Sequence, residues 1–101
     1  MEHVKECEPY LILLYKTHPS QKCALLESSD SKQINTLCEI LLNLVNGNFR
    51  IDEKHLNNLE SMQNVIKALL KKSISLKMKK LIFIDNLDLV HFLLHTLIQE
   101  K

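Results

Sequence analysis

His91 and His95 stand four residues apart, a spacing that puts both imidazoles on one face of a helix. Such a pair is a common start for a zinc site. In the H-E-x-x-H pattern the glutamate beside the first histidine serves as the base. Here Phe92, Leu93 and Leu94 fill the gap, so that acid is missing and no spacing marks a third ligand. The pair therefore reads as surface or helix-capping histidine, and no metal is expected. His3, His18 and His55 are scattered along the chain. Cys7, Cys23 and Cys38 form no C-x-x-C pair and no zinc framework. Their odd number, without a secretory start, predicts reduced thiols packed as small apolar groups. A cysteine–histidine nucleophile would need a polar cluster around it. With one glycine in 101 residues, the chain has neither a glycine-flanked elbow nor a phosphate-cradling loop. Asp85 and Asp88 read as helix N-terminal charges rather than as an acid–base pair. No catalytic residue, cofactor or small-molecule substrate is expected.

Charge is the stronger signal. The formal net charge is only +1, but between Ser61 and Ile84 the chain carries six lysines and no acid. They are Lys67, Lys71, Lys72, Lys77, Lys79 and Lys80. One reading is a solvated face that offsets helix dipoles, because cations are favoured near helix C-termini. The other is a patch that contacts phosphates. No aromatic residue is interleaved, so nucleic-acid contact would fall on the backbone and ignore sequence. Four to six such contacts would give a salt slope of roughly −4 to −5 on duplex DNA. Asp52, Glu53 and Glu60 are the acids that folding could bring against the lysines.

The elements that would carry these groups are helical. Apolar residues make up 46% and charged residues 25%, an ordinary globular mix. Leucine fills 20 positions, against one glycine and two prolines, which excludes a turn-rich β-sandwich. The fold class is all-α: a single domain, residues 1–101, built as a compact bundle of five or six short helices. The first covers about Val4 to Lys16, with Pro9 tolerated if the helix starts near Glu8. Thr17 or His18 caps the second, with Pro19 in its first turn, and it runs to about Glu27. Asp30 or Ser31 caps the third, and Gln33 stands where a capping box wants its acceptor. Ile34, Leu37, Cys38, Leu41, Leu42 and Val45 give it a buried face, and Gly47 fits its C-cap. Asp52 caps a fourth helix carrying Leu56 and Leu59, which runs into or breaks before Met62–Lys71. Ser73 or Ser75 caps a short helix to Phe83. Asp85 caps the last, whose core face is Leu87, Val90, Leu94, Leu97 and Ile98.

That last helix holds more apolar side chains than one stripe needs. Leu89, Phe92 and Leu93 widen its face and predict contact with a partner, such as a second copy of the chain. The first residues carry Glu2, Glu6 and Glu8, unlike a signal peptide's basic start. The run Tyr10–Tyr15 is too short to span a bilayer, and Leu87–Ile98 is broken by Asp88, His91 and His95. No membrane span is expected, and the chain reads as intracellular, cytoplasmic or nuclear.

Four strings occur together in order. They are His18-Pro19-Ser20-Gln21-Lys22-Cys23-Ala24-Leu25-Leu26, Leu37-Cys38-Glu39-Ile40, Asn43-Leu44-Val45-Asn46-Gly47-Asn48, and Lys71-Lys72-Ser73-Ile74-Ser75-Leu76-Lys77 leading to Lys80-Leu81. The order resembles a small late protein of Polinton (Maverick) elements and adintoviruses, whose tail is distantly similar to that of the adenovirus mu-type core protein precursor. The resemblance covers about residues 11–82. It implies a helical, DNA-associated virion component that acts through the lysine stretch. Two features depart from that family. Its members are strongly basic, and they carry a Gly-Gly step where Ile84-Asp85-Asn86-Leu87 stands here. The expectation is a non-enzymatic structural or DNA-associated protein, virus- or Polinton-derived, using the lysine patch. The rival is a helical protein–protein interaction module, an adaptor or regulator, that does not bind nucleic acid.

Overall fold

The computed structural model describes residues 2–46, 60–71 and 73–99; of residues 2, 3 and 99 only the backbone is described. These form seven helices and, among the described residues, no strand. They are α1 (Glu2–Glu6), α2 (Glu8–Lys16), α3 (Pro19–Glu27), α4 (Ser31–Val45), α5 (Gln63–Leu69), α6 (Leu76–Asp85) and α7 (Leu87–Gln99). The fold is the expected all-α bundle, with one helix more than the upper expectation. The expected roles of Gly47, Asp52, Leu56 and Leu59 lie outside the described residues. The radius of gyration is 12.6 Å, close to the value of about 13 Å usual for a domain of this length.

The extra helix comes from Pro9. A proline in mid-helix lacks the backbone donor, so the expected first helix divides at Cys7 and α2 restarts at Glu8 with Pro9 in its first turn. Next, the His18 ring accepts from the Ser20 N–H at 3.2 Å and opens α3, with Pro19 as first residue. The α4 N-terminus is a full capping box. The Asp30 carboxylate accepts from the Gln33 N–H at 2.8 Å, and the Gln33 side chain accepts from the Asp30 N–H at 3.0 Å. Ser75 caps α6, its hydroxyl accepting from the Met78 N–H at 3.2 Å. The expected Asp85 cap of the last helix is corrected. Asp85 closes α6, and the Asn86 carbonyl accepts from the Leu89 and Val90 N–H groups to open α7. The two helices meet at a 90° bend.

The core centres on α7, which packs against α2, α4 and α6. Leu89, Val90, Leu93 and Leu94 are fully enclosed, together with Leu14 of α2, Leu26 of α3, Ile34, Leu37 and Leu41 of α4, and Phe83 of α6. This corrects the partner-binding expectation for Leu89 and Leu93, both 0% exposed. A helix surrounded on several sides needs a broad apolar surface, and the chain's own helices cover it. Phe92 is half-buried against the same core. On α4 the buried face is rotated from the expected one. Ile40 and Leu44 join Ile34, Leu37 and Leu41 inside, Cys38 is half-buried, and Leu42 and Val45 are exposed. Position 42 lies one full residue step, about 100°, around the helix from Leu41, beyond the arc that α7 covers.

No single helix among the described residues is long and apolar enough to cross a membrane.

Candidate functional site

The lysine stretch folds into the α5–α6 corner. Lys67 lies in the last turn of α5. A tight turn follows, in which the Ile74 N–H donates to the Lys71 carbonyl at 3.3 Å, and α6 starts after the Ser75 cap. The six lysines then take different fates. The Lys79 ammonium donates to Asn35 Oδ1 on α4 at 3.1 Å, and the Lys80 ammonium donates to the Glu27 carbonyl at 2.9 Å. Glu27 is the last residue of α3, so Lys80 meets a helix end that favours a cation. Both lysines are half-buried and clamp α6 onto α3 and α4. Lys67, Lys71 and Lys77 are exposed, and Lys72 lies outside the described residues. Among the acids weighed against the patch, Glu60 is exposed, while Asp52 and Glu53 fall outside the described residues.

Beside Lys77 the outer face of α6 presents Met78, 49% exposed, and Leu81, 45% exposed. Residues 77, 78 and 81 are joined by steps of one, three and four and so share one helical surface. The corner thus combines three exposed ammonium groups with two large apolar side chains.

A second polar cluster lies where α2, α3 and α7 meet. The Tyr15 hydroxyl lies 2.9 Å from His95 Nδ1. The Tyr15 ring stacks on His91 with centroids 5.2 Å apart, and the two histidine rings are 6.0 Å apart. Lys22 of α3 is within electrostatic reach of His91. Partial burial, then the Lys22 and His95 charges, hold the His91 pKa below its ordinary 6.5, and Asp88 opposes this weakly. The shared helical face of His91 and His95 was legible from spacing. The arrival of Tyr15 and Lys22 beside them was not.

The thiols are Cys7, buried, and Cys23 and Cys38, half-buried; all three are free. The Thr36 hydroxyl donates to the Lys32 carbonyl at 2.7 Å and lies 3.5 Å from Cys7 Sγ. Burial pushes the Cys38 thiol up, against a smaller downward pull from Lys79, so it is a poor nucleophile at neutral pH. Among the described residues no three His, Cys, Asp or Glu side chains are placed to hold a metal. A mostly apolar cavity of about 230 Å³ opens between α1, α2 and α7, walled by Val4, Leu11, Ile12, Tyr15, Leu97 and Ile98, with Glu8 and Lys16 also in its lining.

Compared with protein-family models, with curated proteins and with solved structures, the chain matches none.

Proposed function

We propose that the protein is a non-enzymatic helical interaction module whose α5–α6 corner receives an acidic, amphipathic partner segment. The observation that carries this reading is the outer face of α6, where Met78 and Leu81 stay about half exposed beside Lys77. Large apolar side chains grouped on a charged rim are how partner surfaces usually differ from ordinary surface. Lys67 and Lys71 add charge on the same corner, so acidic groups on the partner would be drawn to it. The test is capture of partners from the native source, with and without nuclease, by the wild type and by Met78→Asp/Leu81→Asp. Protein partners that survive nuclease and are lost with the double variant support the module. Capture that is unchanged by the double variant refutes it.

A second reading keeps the nucleic-acid backbone as ligand, favoured by the exposure of Lys67, Lys71 and Lys77 in an acid-free stretch. The resemblance to the late proteins of Polinton elements supports it. With Lys79 and Lys80 committed to internal bonds, three phosphate contacts imply a salt slope of about −2.7 on duplex DNA, shallower than six would give. Glutamine at 67, 71 and 77 should flatten that slope towards zero. DNA binding absent at low salt would remove this reading.

A further inference from the structure

The cavity between α1, α2 and α7 is a trough along α2. Glu8, Ile12 and Lys16 follow one another at steps of four, with Leu11 and Tyr15 beside them, so they share one helical surface. Val4 of α1 and Leu97 of α7 close the floor with Leu11; the three are 6%, 8% and 2% exposed. Ile12 is 38% exposed and Ile98 is half-buried, so these two form the lip. Apolar cavities of about 150 Å³ stay dry and take up guests the size of benzene. At about 230 Å³ the trough has room, on the same scale, for about eight to ten carbons.

Its charged groups lie at opposite ends. Glu8 and Lys16 are two turns apart, about 12 Å along the helix. They are not equivalent. Glu8 is half-buried and already has a partner within the fold. Lys16 is exposed, and its ammonium has neither ion pair nor hydrogen bond among the described residues. Tyr15, at the Lys16 end, has its hydroxyl 2.9 Å from His95 Nδ1. Among the described residues no other acid or base lines the trough.

We propose that this trough binds a single-chain amphiphile with an anionic head, a medium-chain carboxylate of about eight to ten carbons. The alkyl chain lies along α2 towards Glu8, and the head meets the Lys16 ammonium. In the reverse orientation the head would face the Glu8 carboxylate, a like charge. A cationic head is repelled by Lys16, and Glu8 is already engaged. The site lies on the α1–α2–α7 face and does not depend on the α5–α6 reading.

The experiment follows the isoleucine methyl resonances of the full chain by NMR. The probes are the carboxylates from hexanoate to dodecanoate, each kept below its micelle concentration, with octan-1-ol and octylammonium as head-group controls. Octanoate should give saturable shifts at Ile12 and Ile98. Affinity should rise about tenfold for each two carbons added from hexanoate, and level off once the trough is full. Lys16→Gln, at an exposed position, should weaken octanoate about twofold to fivefold and leave octan-1-ol unchanged. Ile12→Asp places a carboxylate on the lip and should abolish both. Absence of a saturable shift would overturn the proposal. So would an affinity that still climbs at the same rate to dodecanoate, as partition onto any apolar surface does. Octylammonium or octan-1-ol binding as tightly as octanoate would also overturn it, as would shifts centred on Met78 in place of Ile12. If Ile12→Asp unfolds by circular dichroism, the chain-length profile and Lys16→Gln decide.

Discussion

Replacing Leu93 by alanine separates the two ways in which the broad apolar face of α7 can be used. Leu93 is 0% exposed and lies in the one core that α2, α4 and α7 share. The substitution removes three carbon groups, and at about 0.8 kcal/mol for each buried one the transfer loss is about 2.4 kcal/mol. The space left behind adds to this, because neighbours such as Leu89 and Leu94 are themselves enclosed and relax only in part. The expected total is about 3–4 kcal/mol, inside the range of about 2–5 kcal/mol for core leucines. A domain of this size has about 5–15 kcal/mol of stability, so the variant should fold but with a clearly lower denaturation midpoint. Urea denaturation followed by circular dichroism measures the loss, and repeating it across a hundredfold range of protein concentration tests where the contact lies. An intrachain contact gives the same loss at every concentration. Leu81→Ala, at an exposed position, should cost no more than about 0.5 kcal/mol. A Leu93→Ala loss below about 1 kcal/mol, or a wild-type midpoint that climbs with concentration, would refute the packing argument and return Leu93 to a partner interface.

Asp30→Ala removes the acceptor for the Gln33 N–H and should destabilise the protein by about 1 kcal/mol; a change within error in urea denaturation would mean that the capping box adds nothing. Ser29 gives its single hydroxyl proton to the Leu25 carbonyl at 2.8 Å, so Tyr10 must be the donor in their 2.6 Å contact. Tyr10→Phe then leaves Ser29 bonded and should cost only about 1 kcal/mol; a loss above about 3 kcal/mol would contradict that assignment. Because His91 has a depressed pKa in the fold, the unfolded chain binds the proton more readily below 6.5. Its contribution to stability is present above that value and lost as pH falls through the lower folded value. Thermal midpoints recorded from about pH 7.5 to about pH 5 should fall less steeply for His91→Gln than for the wild type, and equal slopes would rule the depressed pKa out.

The parts of this architecture that could be read from the sequence are those whose causes are local. Asp30 and Gln33 are three residues apart, His18 and Ser20 two, and Ser75 and Met78 three, so each cap carries its whole mechanism within one turn. On α4 the helical period places Ile34, Leu37 and Leu41 inside, but the same period also marks Leu42 and Val45, which are exposed. Other features depend on contacts that no window of sequence contains. Lys79 reaches Asn35 across 44 residues and Lys80 reaches Glu27 across 53, which turns two members of an apparent phosphate patch into clamps between helices. Tyr15 and His95 meet across 80 residues, so a histidine pair that looks merely solvated becomes part of a stacked aromatic cluster. The breadth of α7 is ambiguous for the same reason. Periodicity reports how much of a helix must leave water, but not whether the chain's own helices or another molecule's supply the cover. In this fold α2, α4 and α6 supply it, so the search for a partner surface moves from α7 to the exposed face of α6.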